Sequence, residues 1–347
     1  MLISNLSQPT NTTSIKTKFI NLIPGLILTS VLAGLACFVH SRPATHVIGS
    51  LLISIILGMI VGNVLKPPKR YQPGIKFSLK KILKLSIILL GLKLSFTDVL
   101  AIGYVDLGIT AFTITCTFLF AFWLGKKLGL NHKLVKLIAA GTSICGTSAI
   151  VATNGVVDAS EEDLSYSVAM VTAFGTIAIF LYPLCNQVLQ LSDQQFGLWC
   201  GISIQQTAQV IATSFQNGSA SGEVATISKL ARIIFLAPTV ITLGLTSIQQ
   251  KTSAEKFSWS KLPIPWFILL FLVVSSINTW VAIPDNVQSI FSTLNAFLLA
   301  MATAAMGLET SFAKIKQSGL KPFYLAGLCW LFLSIISLVS IKVFAFH

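Results

Sequence analysis

Charge is scarce in this chain. Only 10% of its 347 residues are Asp, Glu, Lys or Arg, against roughly 25% in soluble domains, which excludes an ordinary soluble enzyme. Histidine is sparse too: His40, His46, His132 and His347 are dispersed, so no Ser-His-Asp grouping, H-E-x-x-H pattern or His-based metal cluster can be assembled from neighbours. The six cysteines, Cys37, Cys116, Cys145, Cys185, Cys200 and Cys329, lack C-x-x-C spacing. They lie within or at the ends of apolar segments, so neither a metal cluster nor a disulfide framework is supported and they read as small apolar residues. A P-loop and an EF-hand pattern are also missing, which excludes an ATP-driven pump for this chain alone. Long polar stretches are absent as well: no loop between apolar runs exceeds about 20 residues, leaving no room for a folded domain outside the membrane. The chain is therefore expected to be no enzyme and to need no cofactor.

What is present is apolar. Hydrophobic residues make up 54% of the chain, in runs of about 20 residues, each long enough to cross a bilayer as a helix. Runs and breakers place spans near 19–39, 47–65, 82–97, 107–125, 134–153, 164–189, 196–214, 227–247, 264–283, 286–308 and 322–345. The expected fold is an all-α polytopic membrane protein with about 11 transmembrane segments. Residues 1–18 form a polar cytoplasmic tail, and 19–347 form a single transmembrane transporter domain. The first span has no convincing cleavage site and reads as a retained anchor. Asn11-Thr12-Thr13 matches a glycosylation pattern by chance on the cytoplasmic side.

The net charge of +13 would suggest nucleic acid in a soluble protein, but here the basic residues sit beside the spans and report orientation. Lys66, Lys69, Arg70, Lys126, Lys127, Lys133, Lys251, Lys256, Lys314 and Lys316 share one side if every span crosses. The N-terminus is then cytoplasmic and the C-terminus outside. Asp98, Asp106, the run Asp158, Glu161, Glu162 and Asp163, Glu223 and Asp285 fall on the outer side. Asp158 to Asp163 read as a solvated loop and helix start. The partners expected are the lipid bilayer and a small inorganic or organic anion, without nucleic acid; a homodimer is left open.

Two internal similarities suggest inverted repeats. Gly91-Leu92-Lys93-Leu94-Ser95-Phe96 aligns with Gly307-Leu308-Glu309-Thr310-Ser311-Phe312, in spans that run in opposite directions. Gly141-Thr142-Ser143-Ile144-Cys145-Gly146-Thr147 aligns with Gly201-Ile202-Ser203-Ile204-Gln205-Gln206-Thr207, and Ala152-Thr153 with Ala212-Thr213. Gly141 and Gly146, set among Thr142, Ser143, Thr147 and Ser148, weaken a continuous helix and leave backbone groups that hydroxyls or water must satisfy. Both segments are interrupted or re-entrant. If both re-enter from opposite sides, this match too is inverted, and the basic-residue balance is unchanged.

Gly141-Thr-Ser-Ile-Cys-Gly-Thr-Ser-Ala-Ile150 and Val171-Thr-Ala-Phe-Gly-Thr-Ile-Ala-Ile-Phe-Leu-Tyr-Pro183 resemble blocks of the YeiH-like family, labelled as sulfate exporters. Phe196-Gly-Leu-Trp199, Thr207-Ala-Gln-Val210, Lys229-Leu-Ala-Arg232 and Ala305-Met-Gly-Leu-Glu-Thr-Ser-Phe312 follow in the family's order. The resemblance covers roughly residues 20–345. It implies kinship with the bile acid, arsenite and riboflavin transporter superfamily. That kinship in turn implies inverted five-helix repeats, crossed broken helices, a panel and core division, and transport of an anion such as sulfate or sulfite across the inner membrane. Where relatives carry a His and an acidic residue, this chain has Gln205-Gln206. Glutamine cannot titrate, so proton coupling cannot run through that pair; coupling to H⁺ or Na⁺ is open.

A small oxyanion needs converging donors in a low-dielectric pocket, and the N-terminal end of an interrupted helix supplies them. Thr142, Ser143, Gly146, Thr147 and Ser148 are the first candidates, against the alternative that the hydroxyls bond their own i−4 carbonyls. Gln205 and Gln209 are expected on one helix face with Gln206 beside them, either lining the site or joining helices. Asn154 is a weaker candidate. Lys93 and Glu309 occupy matched positions, with snorkelling as the bland reading. Lys229 and Arg232 are expected at the outer end of a span, drawing anions to the mouth or anchoring at the interface. The expected function is a secondary transporter working by alternating access; the alternatives are an ion-coupled organic-anion carrier, a passive channel and a membrane sensor.

Overall fold

A computed structural model describes residues 11–42, 49–93, 96–248, 266–280, 284–310 and 320–344, and these are helical throughout, with short breaks. The first layer contains α1 (Asn11–His40), α2 (Ser50–Ile60, prolonged by a π-helical turn Val61–Leu65), α3 (Gln72–Phe77), α4 (Leu83–Leu90), α13 (Trp266–Trp280) and α14 (Asp285–Glu309). The second contains α5 (Phe96–Lys127), α6 (His132–Ser143), α7 (Thr147–Val157), α8 (Glu161–Leu189), α9 (Asp193–Ser203), α10 (Thr207–Ser214), α11 (Ser219–Ile234), α12 (Leu236–Ile248) and the last helix, α15 (Leu320–Phe344). Helix α1 begins at Asn11, so part of the expected polar tail is helical.

The polarity of the fold is that of a protein in lipid. Ile20, Ile23, Ile27, Val31, Leu35 and Phe38 form an exposed apolar stripe on α1, at helical spacing, while Thr29, Ser54, Ser78 and Thr303 are fully buried. Small residues let the helices of the first layer approach closely, as membrane packing requires. A Cβ on Gly58 would collide with the Ala304 carbonyl, and one on Gly307 with the Ile55 carbonyl. In the gap between α2 and α14, Ser54 donates to the Ala300 carbonyl at 2.7 Å.

Among the described residues, six helices are long and apolar enough to cross a membrane: Ile20–His40, Asp106–Lys127, Glu161–Leu189, Ser219–Leu245, Asn286–Glu309 and Leu320–Phe344. Segments 134–153 and 196–214, for which the sequence leaves crossing and re-entrant forms open, are helical hairpins. Lys133 Nζ, at the start of α6, donates to the Asp158 carbonyl just past the end of α7 at 2.6 Å. In a continuous helix those residues would stand roughly 37 Å apart. Asn217, just past α10, donates to Asp193 at the start of α9 at 2.7 Å. The hairpins open at opposite ends of α8. Asn131, the N-cap of α6, donates to Asp163 in the first turn of α8, whereas Asn217 accepts from Asn186 near that helix's last turn.

The acidic run Asp158, Glu161, Glu162 and Asp163 therefore lies at the same end as Lys133, and its expected placement opposite the basic loops is corrected. That expectation assumed that residues 134–153 crossed. With single cysteines in a background lacking the six native ones, an impermeant thiol reagent should label Lys127→Cys and Ser160→Cys from one side and Ser192→Cys from the other. Labelling of Lys127→Cys and Ser160→Cys from opposite sides would contradict the α6–α7 hairpin.

Candidate substrate site at the hairpin tips

The two hairpins break in matched register. Helix α6 ends at Ser143 and α7 begins at Thr147; α9 ends at Ser203 and α10 begins at Thr207. In the internal alignment Ser143 pairs with Ser203 and Thr147 with Thr207, so the similarity records the break itself. The two breaks are made differently. Gly146 adopts φ 68, ψ −127, a conformation that only glycine holds without strain. Ile204 and Gln206 are extended.

Each tip presents a helix C-terminus with unpaired carbonyls and a helix N-terminus with unpaired N–H groups. The carbonyls are satisfied by two fully buried cations on α11. Lys229 Nζ donates to the carbonyls of Ile144 at 2.8 Å, Ile204 at 2.8 Å and Gln205 at 2.5 Å. Three acceptors match the three protons of an ammonium. Arg232 donates to the Thr142 and Ser143 carbonyls on one hairpin and to the Ile204 carbonyl at 3.1 Å on the other. These cations thus clamp both tips together. They do not lie at an outer mouth, as the sequence suggested, because α11 is held deep against α9. A Cβ on Gly197 would lie 2.6 Å from the Ser221 carbonyl oxygen, and one on Gly201 2.6 Å from Ser228 Cβ.

The N-termini at the tips are left open. Asn131 caps α6, Ser160 caps α8, and Ser192 with Gln195 forms a capping box on α9. Neither α7 nor α10 has a side-chain cap. Two positive dipole ends therefore meet over a pair of buried cations, an arrangement suited to an anion. Gln206 joins the tips to α8, donating to Thr147 Oγ1 at 3.2 Å and Thr172 Oγ1 at 2.7 Å. Because both hydroxyls accept, each keeps its own proton to donate. Gln205 is buried with neither amide atom partnered, and the buried Thr142 hydroxyl is also unpartnered. Buried orphans of this kind call for an explanation, such as a ligand.

Other candidates resolve differently. Ser143 Oγ bonds back to the Ala139 carbonyl at 2.6 Å, and Ser148 is exposed on the first turn of α7. Gln205 and Gln209 do not share a helix face, because Gln205 lies in the extended break. Gln209 turns to α8, donating to the Thr172 carbonyl at 3.0 Å and Thr176 Oγ1 at 3.2 Å. Asn154 Oδ1 accepts from the Ala159 N–H at 2.9 Å, closing the end of α7. Glu309 ends α14, half-buried, with Oε1 unpartnered. The Lys93 side chain and residues 311–319 lie outside the described residues, and with them most of the second copy of the Gly91 similarity. The sequence reading missed Thr172, although Thr172 and Thr176 flank Gly175 at i, i+4 spacing.

The family model described as "Conserved hypothetical protein 698" matches residues 24–326. The chain belongs to this family. The UPF0324 inner membrane protein YeiH of Escherichia coli (strain K12) is 39% identical over 311 residues, 88% of this chain and 89% of that protein. A UPF0324 membrane protein of Yersinia pestis is 38% identical over 340 residues, covering 94% and 93%. One from Clostridium tetani is 33% identical over 311 residues, covering 86% and 90%. The resemblance carried by the Gly141–Ile150 block thus holds for most of the chain, and this member of the family is a multi-pass helical membrane protein.

Two substitutions probe the tips of this family member. Gly146→Ala places a Cβ 2.7 Å from Gln206 Cγ at a positive φ and should separate the tips. Lys229→Met leaves the Ile144 and Gln205 carbonyls without their cation, a loss of roughly 2–6 kcal/mol at 1–3 per buried group. A thermal midpoint in detergent unchanged by Lys229→Met would contradict the clamp.

Proposed function

We propose that the protein is a secondary transporter that moves a small anion across the inner membrane, with sulfate or sulfite as the substrate. The observation that carries this reading is the meeting of the uncapped α7 and α10 N-termini above Lys229 and Arg232. A tetrahedral or pyramidal oxyanion would take backbone N–H groups from both half-helices, hydroxyl protons from Thr147 and Thr172, and the Gln205 amide. Interrupted helices meeting near the midplane between repeats are the usual substrate site of secondary transporters. Apolar residues of both tips, including Ile144, Ala149, Ile211 and Ala212, share a core with Ile55, Ile87, Phe271 and Leu299 of the first layer. The site therefore lies beside the seam along which the two layers would rock to give alternating access.

The balance of basic residues supports an N-terminus in the cytoplasm and a C-terminus outside. The α6–α7 hairpin then enters from the cytoplasm and the α9–α10 hairpin from the outer side. The protein performs no covalent chemistry and carries no cofactor in this reading.

Counterflow of labelled sulfate and sulfite into proteoliposomes tests it. Saturable exchange above empty vesicles is expected. Thr147→Val, which keeps shape and deletes one donor, should raise KM by roughly tenfold, about 1.4 kcal/mol, with folding intact. Conductance without saturation would mean a channel, and binding without movement a sensor. Exchange of carboxylates in place of sulfur oxyanions would reassign the substrate.

A further inference from the structure

A fully buried carboxylate stands behind the cation clamp, and the anion site itself does not use it. Asp106, on α5, has 0% exposure. Its Oδ1 accepts from Ser228 Oγ at 3.0 Å and from Thr110 Oγ1 at 3.3 Å, while Oδ2 is buried without a partner. Ser228 precedes Lys229 in the chain, and its side chain is wedged against Gly201, so Asp106 is tied to the α11 segment that clamps both hairpins. The sequence reading had set this residue in an outer loop.

The surroundings of Asp106 are mostly neutral. Helix α13 brings no titratable group. Helix α6 brings His132, Lys133 and Lys136, of which Lys133 is engaged with the Asp158 carbonyl at the membrane edge. Helix α15 brings Lys321, Tyr324, Cys329 and Lys342, and α11 brings Glu223, Lys229 and Arg232. Within α5 itself Lys126 and Lys127 close the far end, while the Asp98 side chain lies outside the described residues. Of these charges, Arg232 stands one helical turn beyond Ser228 on the same face of α11. A carboxylate held by two neutral hydroxyls, with one oxygen unserved, is a place where a proton can be accepted without displacing any existing bond.

We propose that Asp106 is a proton-binding site linked to the anion site above it. The proton adds to Oδ2. Two cations and one carboxylate give the buried group one net positive charge, and protonation leaves two. The protonated state therefore attracts an anion more strongly through the low-dielectric interior, and by linkage a bound anion raises the affinity for the proton. The linkage rests on the anion-carrier reading; the proton site does not. Such a site would supply the coupling that Gln205-Gln206 cannot.

Infrared difference spectroscopy of the purified protein in lipid, as pH is varied, reads the proton directly. A protonated-carboxyl band is expected to grow as pH falls and to be missing from Asp106→Asn. Sulfate Kd in the wild type should tighten with falling pH, by up to about tenfold per pH unit, the limit for one linked proton. In Asp106→Asn it should stay tight at every pH. Should Asp106→Asn fail to fold, Ser228→Ala serves instead. It removes one donor to the carboxylate, so the band should titrate at higher pH. A spectrum with no carboxyl band that responds to either substitution would overturn the proposal, whatever sulfate does. A band that belongs to Asp106 in a protein that binds no sulfate would uphold the proton site and refute the anion reading.

Discussion

A helix broken inside a membrane exposes backbone carbonyls that no water can satisfy, and in this protein two such ends are bonded by Lys229 and Arg232. Everything at the centre of the molecule follows from that pairing. The cations need partners as much as the carbonyls do, since an unpaired charge at this depth is costly. Neutralising the C-terminal ends leaves the opposite ends of the same breaks, the N-termini of α7 and α10, as the unsatisfied half of each interruption. The arrangement separates structural duty from ligand duty: side chains hold the negative ends, and the positive ends stay available.

Holding α11 close enough to do this depends on small residues and aromatic packing. Gly197 and Gly201 give α9 a bare face for α11. On the other side of α9, Trp199 stacks on Tyr182 of α8 with ring centroids 4.0 Å apart and donates to the Ser334 carbonyl of α15 at 2.9 Å. The Tyr182 hydroxyl donates to Ser203 at 2.9 Å, the last residue before the break. The second hairpin is thus fixed by α8, α11 and α15 together, and the cations and Gln206 tie the first to it.

Much of this was legible in the sequence, and the failures share one cause. Apolar length identified the helices, and the alignment of Gly141–Thr153 with Gly201–Thr213 marked the two segments that are broken, without placing the second break at Ile204–Gln206. Hydropathy measures length and apolarity, however, and a hairpin of two half-helices has the same composition as one crossing. The choice rests on Lys133 with Asp158 and Asn217 with Asp193, contacts between residues 25 and 24 apart that no local pattern records. The acidic run was misplaced because its side was counted with every segment taken as a crossing. Lys229 and Arg232 read as interfacial because buried cations are rare at membrane depth, and only the carbonyls of two other segments explain them. Asp106 was lost for the same reason: its partner Ser228 is 122 residues away.

The central claim is that the two tips meet. With Thr147→Cys and Gln206→Cys introduced together in a background lacking native cysteines, a short bifunctional maleimide should cross-link the two positions within one chain, and sulfate should slow the reaction by occupying the space between them. Folded protein that forms no cross-link, while each cysteine alone remains reactive, would contradict the account.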